Sequence, residues 1–362
     1  MNYKTIEFLL LQLEESFSKS RSNIYSEVKK EQHFRELYQL FKSIRDSEYR
    51  RLRGNELYVH FNILTYIFKG LEYLDNSTLN VIPYEIVSCL EKALSDWIRR
   101  EDFIVVTSLS NRNLDFYFES GYSEEYFQGL NKYVSKFYGT TITHRLIRIG
   151  LPKVLARDYL SCVALYHELG HFVDNELNIS KKLLLETYKT DNPRKSPSTF
   201  MYYSHRTEYF ADLFAAQYIN DASDSFLNYI AYDEPDSQTH PATAKRTKVV
   251  QEFLSNQYCM EKNDFNKVLK ASGSPQLSLR HNSIDVSNSD FIDLVPQNLE
   301  NDGQLHYIFK LGWDIWKESD DNFLKDFKSR QKHQIINNLI EKSISNYTIS
   351  AQWKKLNDGT IQ

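Results

Sequence analysis

Cysteine is scarce in this sequence: Cys89, Cys162 and Cys259 are far apart, odd in number and without the paired spacing of a zinc knuckle or a disulfide scaffold. They read as buried thiols of a reducing compartment. Only 11 glycines and 8 prolines occur in 362 residues, which argues against long flexible linkers. No stretch approaches the ~20 apolar residues of a membrane span. The N-terminal MNYKTIEFLLLQLEESF has one lysine and an apolar run that Glu14 and Glu15 cut too short for a signal-peptide core. The expectation is a soluble cytoplasmic protein with no membrane span. There is also no excess of one charge: 44 Lys and Arg against 48 Asp and Glu leave a net charge of -4 and no electrostatic sign of a nucleic-acid partner.

What is present is a core. Apolar residues make up 41% and aromatics 14%, with 25 tyrosines and 22 phenylalanines, the composition of a folded globular protein. The length suits one large unit with added subdomains, or two domains. The expected class is α+β, predominantly helical, in three parts: a helical region over 1–100, a core over 101–262, and a mixed region over 263–362 packing on that core.

The periodicities behind this division are local. Ile6, Leu9, Leu10, Leu13 and Phe17 recur at helical spacing, Leu57, Val59, Phe61, Leu64 and Ile67 begin another apolar segment, and Leu90, Leu94 and Trp97 mark a third. DFIVVTSLS (102–110) and LDFYFES (114–120), joined by NRN, predict a hairpin. A helix follows over Glu124–Phe137, and THRLIRIG (143–150) reads as a half-exposed edge strand. From Pro152 a helix is predicted to about Leu177, then a loop over 190–200, a helix over about 205–220, the loop DSQTHPATAKR and a helix over Lys248–Gln257. The last hundred residues are expected to hold a strand or two, a polar loop over 271–289, and helices around Trp313–Trp316 and Gln334–Ser345. Arg45, Arg50, Arg51 and Arg53 form the strongest basic patch, read as a solvated helix end.

The chemistry concentrates in YHELGH (166–171). Positions i and i+4 of a helix share a face, so His167 and His171 would converge on one ion, with Glu168 beside it as a base for an ion-held water. Gly170 would leave room next to the metal-facing turn. A catalytic zinc takes a third protein ligand. The HExxHxxGxxH arrangement fails, because Asp174 and Leu177 stand where its glycine and histidine would be. EYFAD, 37 residues after His171, offers Glu208 as ligand and Asp212, four residues on, as the acceptor behind a histidine. Ala211 and Ala215 keep that helix thin enough to lie close to the first. The alternative for the histidines is a helix turn that predicts nothing downstream.

HELGH followed by EYFADLFAA resembles the gluzincin metallopeptidases, whose zinc site is built from HExxH and ExxxD on two helices. THPATAKR (239–246) is similar to the His-Pro segment with a downstream arginine of the HtpX-like and CAAX-processing peptidases, with Ala242 in place of a usual second proline. EYFADLFA also resembles the compact ImmA-like gluzincins that cleave phage or stress repressors. The resemblance covers roughly residues 140–255. It implies one zinc per chain on His167, His171 and Glu208, with Glu168 as general base and Asp212 behind the ligands. It further implies His240 near the substrate carbonyl and Arg246 paired with a buried carboxylate.

The expected activity is hydrolysis of a protein or peptide substrate by a zinc-activated water. The oxyanion would meet His240 or one of Tyr202, Tyr203 and Tyr209, and the substrate would lie along the edge strand at Leu146, Ile147, Arg148 and Ile149. Two alternatives remain: a regulatory protease that cleaves a repressor or partner, with the N-terminal helices contacting that partner, and a catalytically silent zinc-binding interaction protein. Asp174 is read as a helix cap, with a bond to a metal-bound histidine as the alternative, His205 as a surface or packing residue, and the remaining histidines as ordinary. Tyr166 has no role.

Overall fold

The computed structural model describes residues 2–25, 28–76, 83–99, 101, 103–112, 115–120, 124–318 and 324–357. The chain forms two compact units, Met1–Ile82 with Arg99–Asp115 and Glu119–Pro152, and Pro83–Ile98 with Phe116–Phe118 and Lys153–Gln362. It is predominantly helical, with thirteen α-helices and one three-stranded sheet among the described residues. No described helix is long and apolar enough to cross a membrane.

The first unit starts with α1 (Tyr3–Ser20), α2 (Val28–Arg45) and α3 (Asn55–Asn76). Ile6, Leu10, Leu13 and Phe17 repeat at helical spacing and are buried on α1. They share one core with Leu37, Phe41, Ile63 and Ile67. The side chain of Asn2 starts α1 by accepting the Lys4 N–H at 2.9 Å. Most of the basic patch is paired: Arg45 with Glu14 and Asp46, Arg50 with Glu7, and Arg51 with Glu48, at 2.7–3.1 Å, while Arg53 donates to the Arg50 and Leu52 carbonyls.

After α4 (Tyr84–Ser95), which belongs to the second unit, come β1 (Phe103–Ser110), β2 (Tyr117–Ser120), α5 (Glu124–Tyr138) and β3 (Arg145–Pro152). Two expectations are corrected here. The sheet order is β1-β3-β2, so β1 and β2 do not form a hairpin; β1 runs parallel to β3, from Phe103 opposite Arg145 to Ser110 opposite Pro152. β3 is therefore the middle strand and not an edge. Leu146, Ile147 and Ile149 are buried, and Arg148 donates to the Tyr73 hydroxyl at 2.8 Å while stacking on that ring. A parallel strand covered on both faces reads as a nearly continuous apolar run, and aromatic rings on its arginines hide the charge. Strand addition along residues 146–149 is thus blocked by strands already paired on either side.

The second unit continues with α6 (Ala164–Leu177), α7 (Ile179–Tyr188), α8 (Pro197–Ile219), α9 (Ala222–Ile230), α10 (Thr243–Leu254), α11 (Met260–Ala271), α12 (Asp302–Glu318) and α13 (Ser329–Asn357). α8 is its axis: Phe210 to Ile219 are all buried, and α6, α7, α10, α11 and α12 pack on it. Several elements differ from expectation, among them α10, which runs Thr243–Leu254 and not Lys248–Gln257. α6 starts at Ala164 rather than Pro152, because side chains capture the preceding backbone. Asp158 accepts the Ser161 N–H and hydroxyl at 3.2 and 2.9 Å, and Asn337 accepts the N–H groups of Tyr159 and Leu160 at 2.6 and 3.3 Å. α8 starts at Pro197, where Ser196 and Thr199 form a capping box. No strand follows residue 263 among the described residues, and Trp313 is core, donating to the Leu160 carbonyl at 3.0 Å.

Candidate metal centre

His167 and His171 sit one turn apart on α6, their rings 4.6 Å apart and nearly perpendicular. The third group arrives because α8 crosses α6 at very close range. A Cβ placed on Gly170 would stand 2.7 Å from the Ala211 Cα. The room at Gly170 is therefore taken by the backbone of α8 and not by the metal-facing turn. Glu208, three residues before Ala211, is thereby set over both rings. Its Oε2 lies 3.4 Å from His167 Nε2 and its Oε1 3.4 Å from His171 Nε2.

Those spacings carry chemical content. A charge-assisted N–H···O bond closes to about 2.7–2.9 Å. A tetrahedral ion with bonds of about 2.0–2.2 Å instead separates its ligands by roughly 3.3–3.6 Å. The three donor atoms all lie within 4.8 Å of one another. Two imidazoles and a carboxylate form a donor set suited to zinc and leave a fourth position open.

Behind the donors is a buried network. Arg246 grips Asp212 with two hydrogen bonds of 2.7 Å, and its Nη1 lies 3.3 Å from Glu208 Oε2. Asp212 Oδ1 is 3.0 Å from His167 Nδ1, close in distance but off the line of a straight N–H bond. Burial would raise the Asp212 carboxyl, but the Arg246 charge and hydrogen bonds outweigh it and hold it at about 2. Burial would likewise raise Glu208, yet contact with His167 and His171 keeps it well below the usual carboxylate range. His167 shows the converse, burial working to lower it while Asp212 and Glu208 lift it to about 10.

Arg246 reaches this network from the first turn of α10. Asp236 accepts the Ala242 N–H at 2.7 Å, and the Thr243 hydroxyl donates to the Ala231 carbonyl at 2.6 Å, which fixes where α10 begins. His240, in the loop before it, is exposed and places Nε2 3.6 Å from Glu208 Oε1. That loop is tied to α8 by His205, whose Nε2 lies 2.8 Å from the Ser237 carbonyl. His205 thus holds the loop that carries His240, a role for which its place one turn before Glu208 was the only sequence signal.

Glu168 follows His167 on α6, half-buried, and makes no hydrogen bond or ion pair among the described residues. Asp174 accepts the Ser180 N–H at 2.7 Å and so caps α7. The Tyr202 hydroxyl is engaged with Thr187 at 3.0 Å. Tyr166, about 100° round α6 from His167, bonds its hydroxyl to His306 Nδ1 at 2.8 Å, and burial pushes His306 down to about 3 and keeps it neutral. Nothing local to YHELGH indicates a partner 140 residues away. The three cysteines are free and buried. Cys259 lies near Glu252 and Glu261 in a second group of possible ligands, but burial pushes its thiol up, against the thiolate a metal needs. Compared with protein-family models, curated proteins and solved structures, the chain matches none of them.

Proposed function

We propose that this chain is a zinc-dependent metallopeptidase of the gluzincin kind, with one zinc per chain on His167, His171 and Glu208. The observation that carries the reading is the 3.4 Å spacing of Glu208 from both imidazoles, beside Glu168, which makes no hydrogen bond or ion pair among the described residues. Zinc on these donors supplies a Lewis acid for the scissile carbonyl and lowers the pKa of a water it holds towards ~7.

The residues of the chain divide the remaining work. Glu168 takes the proton of the attacking water and passes it to the departing amine, a transfer worth about 10²–10⁴ in rate. His240 stands on the open side of Glu208, where its ring N–H can donate to the developing oxyanion. Asp212 and Arg246 hold His167 and Glu208 in orientation from behind. A purely structural metal site has no use for an unpaired base next to an open position, which favours a catalytic reading over a silent binding protein.

Elemental analysis of the purified full chain tests this directly. One zinc per chain is expected in the wild type and in Glu168→Gln, with loss in Glu208→Ala. Hydrolysis of an unfolded protein should disappear in Glu168→Gln. A folded wild type that takes up no zinc would sink the reading.

A further inference from the structure

The loop from Ala231 to Ala242 joins α9 to α10 and is closed on itself. The His240 N–H donates to the Ser237 hydroxyl and the Ser237 N–H to the His240 carbonyl, both at 2.9 Å. Asp236 and the Glu234 carbonyl then accept the N–H groups of Ala242 and Thr243 at 2.7 and 3.0 Å. His205 of α8 adds its bond to the Ser237 carbonyl. With the backbone fixed in this way, His240 keeps two freedoms: the rotation of its ring, and the choice of nitrogen on which the neutral ring carries its proton.

Thr239 addresses both. Its Oγ1 lies 2.8 Å from His240 Nδ1, while the other ring nitrogen, Nε2, lies 3.6 Å from Glu208 Oε1. A carboxylate only accepts, so a proton on Nε2 meets an acceptor, whereas a bare Nε2 would set its lone pair against Glu208. A hydroxyl serves as donor or acceptor, so Thr239 is the member of the set that adapts. With the proton on Nε2, it donates to Nδ1. The two residues are neighbours on a backbone already closed, so the bond orders only two short side chains and costs little entropy in competition with water. The Ser237 hydroxyl has other work, accepting the N–H groups of Thr239 and His240.

We infer that Thr239 is a positioning residue for His240, its hydroxyl donating to Nδ1 so that the ring presents a protonated Nε2 towards Glu208. That this N–H serves an oxyanion rests on the peptidase reading above; the arrangement of the two side chains does not. The loss on removing the hydroxyl is that of one hydrogen bond, about threefold to tenfold in rate.

The test uses the full chain with ¹⁵N-labelled histidine at about pH 8, above the ordinary imidazole pKa. The His240 ring signals are those missing from His240→Gln. In the wild type Nε2 should be protonated and Nδ1 bare. Thr239→Val, which keeps the shape, should move the Nδ1 signal downfield, the direction that loss of a donated hydrogen bond produces, and Thr239→Ser should return it. With fluorescein-labelled casein as substrate, Thr239→Val should lower kcat about threefold to tenfold with KM and zinc content unchanged, and Thr239→Ser should regain the wild-type kcat. A proton on Nδ1 in the wild type, an Nδ1 signal or a kcat unchanged in Thr239→Val, or a serine variant as slow as the valine one overturns the inference. If the wild type binds no zinc and cleaves no casein, the peptidase reading falls, and the ring signals alone decide whether Thr239 holds His240.

Discussion

Arg246 holds Asp212 by two hydrogen bonds of 2.7 Å and with the same guanidinium reaches to 3.3 Å from Glu208. One cation thus compensates two buried carboxylates, one of them the proposed metal donor Glu208 and the other the neighbour of His167.

Arg246→Met should therefore be costly. It leaves Asp212 and Glu208 buried without their counter-charge, a situation worth about 3–5 kcal/mol. Urea unfolding of metal-free protein measures it, and a change below about 1 kcal/mol, the size of an exposed pair, would mean the network is not buried in solution. Asp212→Asn keeps the shape and loses the charge behind His167. Zinc affinity should fall about 10–100-fold in competition with a chelator.

Gly170→Ala tests the helix crossing. Alanine favours the helix by about 1 kcal/mol, but its methyl would stand 2.7 Å from backbone, which cannot swing aside as a side chain can. Overpacking of this kind costs about 1–3 kcal/mol. Lower stability and weaker zinc binding are expected together, because separating α6 from α8 also draws Glu208 off the imidazoles. A variant as stable as wild type with unchanged zinc affinity would contradict the crossing.

The α6 approach carries a pH signature. His333 on α13 lies 3.3 Å from Asp158, which raises the imidazole above its ordinary value. A group whose pKa rises on folding stabilises most below its unfolded pKa, about 6.5, and the contribution fades as pH climbs through the folded value. The melting temperature of wild type should exceed that of His333→Gln below pH ~6 and converge with it in alkaline buffer. A gap that is constant with pH would place the effect in packing.

Zinc removal should lower the melting temperature. Free zinc at about 100 times its dissociation constant adds about 2.7 kcal/mol, a few degrees for a chain of this size. Glu208→Ala should lose most of that difference between zinc and chelator.

The side-chain cluster of the candidate site was legible because its parts are local. His167 with His171, and Glu208 with Asp212, are each one helical turn apart, and helix geometry alone puts each pair on one face. Arg246 and His240 rested on family resemblance, and the structure brings both within 3.6 Å of Glu208. The misread elements have non-local causes. The backbone before α6 follows Asn337, 178 residues away, and β1 pairs with a strand that arrives only after α5. Two β-runs with a turn between them look like a hairpin when a third, better covered strand cannot be seen to intervene. Tyr166 seemed idle for the same reason, its partner lying on α12.

Neither compact unit is a continuous stretch of chain, and this sets an order of synthesis. The first unit cannot complete its core until Leu146 on β3 has been made, because α1–α3 share that core with β1, α5 and β3. α4 emerges in the middle of this process but packs with α6, α12 and α13. Its apolar face, Ile86, Leu90 and Leu94, meets its first partner, α6, roughly seventy residues later, but is completed by α12 only after roughly two hundred residues, about 10–40 s at ordinary elongation rates. During that interval part of the apolar face of α4 lacks its native cover, and a fragment ending near residue 100 would lack all of it.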